Sequence, residues 1–280
     1  MKKSIFNTIK HIEQAASPKK TTITADMNIT ERHQAILQKL QESGRVDIIE
    51  LSDSLQVSGV TIRKDLKLLE EKKLLFRTKG GGSIQNPYAN EKPLNEKELI
   101  HAEEKKKIAK AALPFIDQTD SIIIGSGTTV FELARILHPS RHLTVITPAL
   151  KIALELCNRQ HIEVLQMGGL IHQNSSSAAG SFAEKLLDEI SCGILFLGVD
   201  GIDPDFGLSI TNLAEASLNK KMIHIAQKVV ILADSSKFGR RGIGRIGNLD
   251  LIHYIITDKH APKDLISQME EKGVQVIIAD

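Results

Sequence analysis

Apolar positions along the chain change their period once. From Thr30 to about Ile84 they recur at helical spacing, whereas from Ser121 onward short β-branched runs alternate with helical stretches. Two domains are expected from that change. Residues 1–28 are polar, carry Ser17-Pro18-Lys19-Lys20 in their middle and show no sustained period, so they read as a loose leader. Residues 29–85 read as a compact helical domain and 86–112 as a linker with a connecting helix, Glu96 to Ala112, rich in Glu, Lys and Ala. Residues 113–280 read as an α/β domain.

Within the helical domain, Thr30 caps a first helix whose Ile36, Leu37 and Leu40 share one face until Ser43-Gly44 ends it. Asp47, with Glu50 three residues on, opens a short second helix over 48–55. Ser58 caps a third, in which Ile62, Leu66 and Leu69 point inward and Thr61, Arg63, Lys64 and Lys67 are left outside. Three helices with a tight break between the last two follow the helix-turn-helix plan. Leu74 to Lys79 then alternates like a strand and runs into Gly80-Gly81-Gly82-Ser83-Ile84, the glycine tip of a wing.

The α/β domain is expected to hold strands over 121–124, 143–146, 162–167, 193–199, 229–233, 253–257 and 274–278, with helices from Val130, Ala149, Gly180 and Leu213 and one before the last strand. Strand-helix alternation implies a largely parallel sheet covered on both faces, with any ligand beyond the carboxyl ends of the strands.

Charge adds a position rather than a total. The chain has 36 basic and 34 acidic side chains, a net of +2, yet residues 57–85 alone carry a net of +4 through Arg63, Lys64, Lys67, Lys72, Lys73, Arg77 and Lys79. That cluster lies on the third helix and the wing, where it would neutralise phosphates. The bland alternative is a three-helix bundle with a solvated charged face. Aromatics at 4% argue against a surface that stacks bases. No apolar run approaches the roughly 20 residues needed to cross a bilayer, and a cytoplasmic location is expected. Cys157 and Cys192 are isolated in apolar stretches and read as buried free thiols.

One segment carries candidate chemistry. Gly125-Ser126-Gly127-Thr128-Thr129 joins a strand to a helix, so backbone N–H groups and two hydroxyls face whatever sits at the helix N-terminus. Spacing alone leaves a bound phosphate and a plain tight turn equally open. Polar residues also gather after other strands: Thr147, Asp200 with Asp203, and Asp234-Ser235-Ser236-Lys237. Together they suggest one pocket with an anion end and a hydroxyl-reading end.

Two sets of motifs carry a resemblance. Arg32-His33-x-x-Ile36-Leu37, Gly44-Arg45-Val46 and Val57-Ser58-Gly59-Val60-Thr61-Ile62-Arg63-Lys64-Asp65-Leu66, closing with Gly80-Gly81, resemble the DNA-binding signature of DeoR-type transcriptional regulators. Ile124 to Thr129, Met167-Gly168-Gly169, Phe196 to Asp203 and Ala233 to Phe238 resemble that family's sensor domain, itself similar to ribose-5-phosphate isomerase. The resemblance implies a winged helix-turn-helix over 29–85 and a sugar-phosphate sensor over 113–280. It implies that Ser58, Thr61, Arg63 and Lys64 enter the major groove, and the basic cluster adds Lys67, Arg77 and Lys79 as expected DNA contacts. Ser126, Gly127, Thr128 and Thr129 would hold a phosphate, Asp200 and Lys237 would face the sugar, and Thr147 and Gly169 would join them. Asp65 would orient a basic neighbour or cap rather than touch DNA. The chain departs from the family at Lys64, Lys79, Gly125 and Pro148, where an Arg, a His or Tyr, an Asp and an Asn are usual.

The function so implied is a sequence-specific repressor of carbohydrate-metabolism genes, bound to double-stranded operator DNA as a homodimer or homotetramer, controlled by a phosphorylated sugar or amino sugar, with no cofactor. Thr211-Asn212-x-x-Glu215-Ala216 looks most like the N-acetylgalactosamine and galactosamine branch. The competing expectation is an isomerase-like enzyme carrying a DNA-binding domain, with Asp200-Gly201-x-Asp203 as its acidic motif and Glu215 as a base. That enzyme would need a Lys and a glycine run where Pro204-Asp205-Phe206-Gly207 stands.

Overall fold

The computed structural model describes residues 28–72, 74–78, 80–83 and 93–280. The leader expected over 1–28 lies outside the described residues except for Asn28. So do Lys73, Lys79 and 84–92. The chain divides into two compact units, Met1–Asn86 and Pro87–Asp280.

The first unit runs α1 (Ile29–Ser43), β1 (Arg45–Asp47), α2 (Ile48–Leu55), α3 (Gly59–Glu71), β2 (Phe76–Thr78) and β3 (Gly81–Ser83). The cap of α1 is Asn28 rather than Thr30: its side chain accepts from the backbone of Thr30 and Glu31, and Glu31 returns a bond to the Asn28 N–H. Asp47 and Ser58 cap α2 and α3 as their positions predict. Ile36, Leu40, Leu51, Ile62, Leu66 and Leu69 meet in one core, each worth about 1.5–3 kcal/mol of burial.

The wing forms the expected hairpin, β2 antiparallel to β3, but its glycines are placed differently. The strands form a three-stranded sheet in the order β1-β3-β2, so Gly81 and Gly82 are the middle of the sheet and the turn lies before them. A Cβ on Gly81 would stand 1.7 Å from the Val46 carbonyl oxygen, which explains why this strand has no side chain there.

The second unit is built on a seven-stranded parallel sheet in the order β15-β14-β12-β9-β4-β5-β6. Its strands are β4 (Ser121–Ile124), β5 (Leu143–Thr147), β6 (Ile162–Gln166), β9 (Cys192–Leu197), β12 (Ala226–Leu232), β14 (Tyr254–Asp258) and β15 (Gln275–Ala279). Near-continuous apolar runs such as Ile122-Ile123-Ile124 suit strands buried on both faces. Ile123, Leu195 and Ile231 enter one core while Ile122, Ile194 and Val230 enter the other.

The expected connecting helix is two helices, α4 (Leu94–Leu99) and α5 (Ala102–Ala112), separated by His101 at φ 55°. Ile108, Ala109 and Ala112 bury α5 against the sheet and α6 (Thr128–Ile136), so it is an integral layer of this unit. The remaining helices are α7 (Leu150–Leu156), α8 (Ser181–Leu186), α9 (Leu213–Ile225) and α10 (Lys263–Glu270). Two small antiparallel sheets, β7 (Leu170–His172) with β8 (Ser177–Ala179), and β10 (Gly201–Asp203) with β11 (Gly207–Ile210) and β13 (Gly244–Gly247), were not expected. Cys192 is buried as expected, but Cys157 is exposed at the end of α7.

Candidate functional site

Helix α3 displays the first candidate surface. With Ile62, Asp65, Leu66 and Leu69 turned inward, helical geometry leaves Arg63, Lys64 and Lys67 exposed on the outer side, and all three are. Ser58 Oγ accepts from the Thr61 N–H at 3.1 Å and lies 2.9 Å from the Thr61 hydroxyl. Those two residues therefore build the start of the helix. Arg77, half-buried on β2, donates its backbone N–H to Glu70 at 3.0 Å, tying the wing to α3. Lys79 lies outside the described residues. Val60, 59% exposed in the first turn of α3, belongs to the same surface, and sequence reasoning passed over it. Its signal was an apolar residue three, four and seven positions before the three basic ones, able to meet a thymine methyl.

Asp65 is buried beneath this surface. Its carboxylate accepts from Arg32 Nη2 at 2.9 Å and stands 3.2 Å from His33 Nε2, joining α1 to α3.

The second candidate is a pocket at the point where strand order reverses, between β4 and β9. Ser126, Gly127, Thr128 and Thr129 line it from the β4–α6 turn, Gly198 and Asp200 from the end of β9, and Lys237 from the turn after β12. Gly127 starts α6 with no side-chain cap, leaving the helix's first N–H groups directed at the pocket. Asp234 shapes the turn carrying Lys237 by accepting from the Ser236 N–H at 3.0 Å, and Asp258 accepts from Ser235 at 2.7 Å.

Asp200 is the electrostatic centre. Thr211 donates to its Oδ2 from the hydroxyl at 2.8 Å and the backbone at 3.1 Å, while Lys97 and Lys237 stand 3.5 and 3.9 Å from Oδ1. Burial by itself would raise the carboxyl, but the two lysines and the two bonds together hold it below the ordinary carboxylate range.

Two predicted residues are not among those lining the pocket. Thr147 is fully buried and its hydroxyl accepts from the Ala149 N–H at 3.1 Å, closing the turn into α7. Gly169, at φ 146°, lets β7 approach β8: a Cβ there would lie 2.6 Å from the Ala179 carbonyl oxygen. Conversely Leu94, Lys97 and Ser175 line the pocket without having been expected, and Glu215 lines it next to Ser175, whose hydroxyl it accepts. Lys97 sat in a segment read as a connecting helix, so only the fold places it here. Lys105, buried on α5 and pushed down by that burial against the pull of Asp234, donates to the Lys97 carbonyl.

The DeoR-like helix-turn-helix domain matches residues 32–87 and the DeoR C-terminal sensor domain matches residues 100–259. The chain belongs to the DeoR family. It is a DNA-binding transcriptional regulator and not an enzyme. A relative from Escherichia coli O157:H7, named for transcriptional repression of the aga operon, is 35% identical over 89% of this chain and 93% of its own. An HTH-type transcriptional regulator of Bacillus subtilis (strain 168) is 35% identical over 89% of this chain and 96% of its own. A solved ribose 5-phosphate isomerase A from Neisseria gonorrhoeae overlaps in part, with TM-score 0.36 and 19% identity over 49% of this chain and 53% of that one. Asp203 Oδ1 accepts from the backbone of Asp205 and Phe206 and from Arg241 at 2.9 Å, so it holds the β10–β11 turn. No helix among the described residues is long and apolar enough to cross a membrane.

Proposed function

We propose that this DeoR-family regulator is a cytoplasmic repressor of a carbohydrate-utilisation operon, whose operator affinity is set by a phosphorylated sugar or amino sugar in the second unit. The observation that carries the reading is the pocket's polarity. One wall is an uncapped helix N-terminus with Ser126, Thr128 and Thr129, another presents the Asp200 carboxylate, and Lys237 stands 3.9 Å from that carboxylate. A phosphate suits the first wall and sugar hydroxyls or an amine suit the second. The aga operon in the name of the Escherichia coli relative supports an amino sugar.

In this reading Arg63 and Lys64 read base edges, with Ser58 and Thr61 at the helix start, while Lys67, Arg77 and Lys79 contact phosphates. Two half-sites one helical turn apart call for a dimer, or a tetramer built from two. A coupling of roughly 1 to 3 kcal/mol between effector and operator suffices for a switch.

Fluorescence anisotropy tests this on DNA from upstream of the chain's own gene, at two salt concentrations, with hexose and hexosamine phosphates titrated in. Tight, salt-dependent binding that one phosphate ester alters is the expected result. Operator binding indifferent to every ester would refute the effector assignment.

A further inference from the structure

We infer that Lys97 is an effector ligand, the second cation of the anion site, and that it passes from Asp200 to the effector's phosphate on binding. The inference rests on the sugar-phosphate reading. Lys97 comes from α4 and Lys237 from beyond β12, yet both face the same carboxylate oxygen, at 3.5 and 3.9 Å. Both ammonium groups are thus ion-paired with one carboxylate, and Lys97 also donates to its Oδ1. The other oxygen is held at both ends by Thr211.

A phosphate monoester carries about −1.5 to −2 charge at neutral pH, against −1 for a carboxylate. Placed at the Thr128–Thr129 turn, it competes with Asp200 for both lysines, and Lys237 alone leaves it under-neutralised. The end of α4 that carries Lys97 is held by two contacts. Buried Lys105 donates to the Lys97 carbonyl, and Lys151 on α7 donates to Glu98 at 2.6 Å. Lys97 thus reaches for the phosphate from a held backbone, and α4, the first described helix of its unit, registers whether the pocket is filled.

The test is calorimetric titration of the full chain, of Lys97→Met and of Lys97→Arg. The probes are inorganic phosphate, hexose and hexosamine 6-phosphates and glycerol 3-phosphate, each ester beside its unphosphorylated parent. Amide exchange across 94–99 is followed in parallel. Lys97→Met should weaken phosphate-bearing ligands about 10- to 100-fold, as loss of a charged hydrogen bond does, and Lys97→Arg should restore most of it. Amides of α4 should become more protected when the wild-type chain binds. Equal or tighter binding of phosphate esters by Lys97→Met overturns the inference. Lys97-dependent binding of inorganic phosphate with no ester competing would uphold Lys97 and refute the sugar-phosphate reading, whereas failure of every phosphate-bearing probe to bind the wild-type chain refutes both.

Discussion

Arg32 and Asp65 meet side by side beneath the exposed face of α3, the guanidinium giving both Nε and Nη2 to the two carboxylate oxygens. Asp65 is 1% exposed and also faces His33, so a single acid of α3 holds two neighbouring side chains of α1. Removing only the acid would take two charged hydrogen bonds from the half-buried Arg32 guanidinium. Asp65→Ala should cost the first unit about 3–5 kcal/mol, visible as an early thermal transition and loss of operator binding. Pairing it with Arg32→Met should recover part of the stability. If Asp65→Ala melts like wild type, the pair has no structural role.

Arg63 and Lys67 project from the same helix but should fail in different ways. Arg63→Ala should cost about 1–3 kcal/mol of operator affinity and relax the preference at one base step. Lys67→Ala should weaken all sequences alike and lower the salt slope by about one. Unchanged binding by both variants, measured by anisotropy across a salt series, would remove α3 from the DNA interface.

Gly81→Ala places a methyl against the Val46 carbonyl and must push β1 and β3 apart. A loss of about 3 kcal/mol or more in the first unit is expected, since backbone cannot move aside as a side chain can. Chemical denaturation followed by circular dichroism measures it. A wild-type midpoint would mean the sheet does not form in this register.

The Asp200 carboxyl, held low in the folded chain, binds fewer protons there than in the unfolded chain. Its stabilisation is therefore complete above the unfolded value of about 3.9 and is lost as pH falls through the folded one. The second unit should lose melting temperature on acidification below about pH 4, and Asp200→Asn should flatten that loss. An identical acid profile in the variant would assign the effect to other carboxylates.

The two thiols should separate cleanly in a labelling experiment. Burial pushes Cys192 up to about 12, while Cys157 is exposed. A disulfide reagent should modify one thiol in the native chain and the second only after unfolding. Two fast equivalents would contradict the burial of β9.

All seven strands of the parallel sheet were legible because each contains a short apolar run bounded by turn residues, as at Ser121–Ile124 and Tyr254–Asp258. The inward face of α3 was legible through Ile62, Leu66 and Leu69, whose three- and four-residue spacing only a helix satisfies. Of the small antiparallel strands only β2 was, through the alternation of Leu74 to Lys79. β10 and β11 are three and four residues long, and β3 is mostly glycine, so none shows a period to read. The same limit explains the site: Ser126 to Thr129, Asp200 and Lys237 announce themselves beside strand ends, but Thr147 and Gly169 occupy equivalent positions and serve only local turns. Lys97 follows no strand at all, and its place beside Asp200 depends on contacts made across a hundred residues of chain.

The insertion of β9 between β4 and β12 also sets an order of assembly. The first unit is made of neighbours in sequence and precedes the second, so during synthesis it can close early, whereas the pocket waits for β9 to dock beside a strand made much earlier and for β12 to bring Lys237. A nascent chain therefore completes the surface that carries Arg63 before it completes the pocket that holds Asp200, and for that interval its two halves are of different ages.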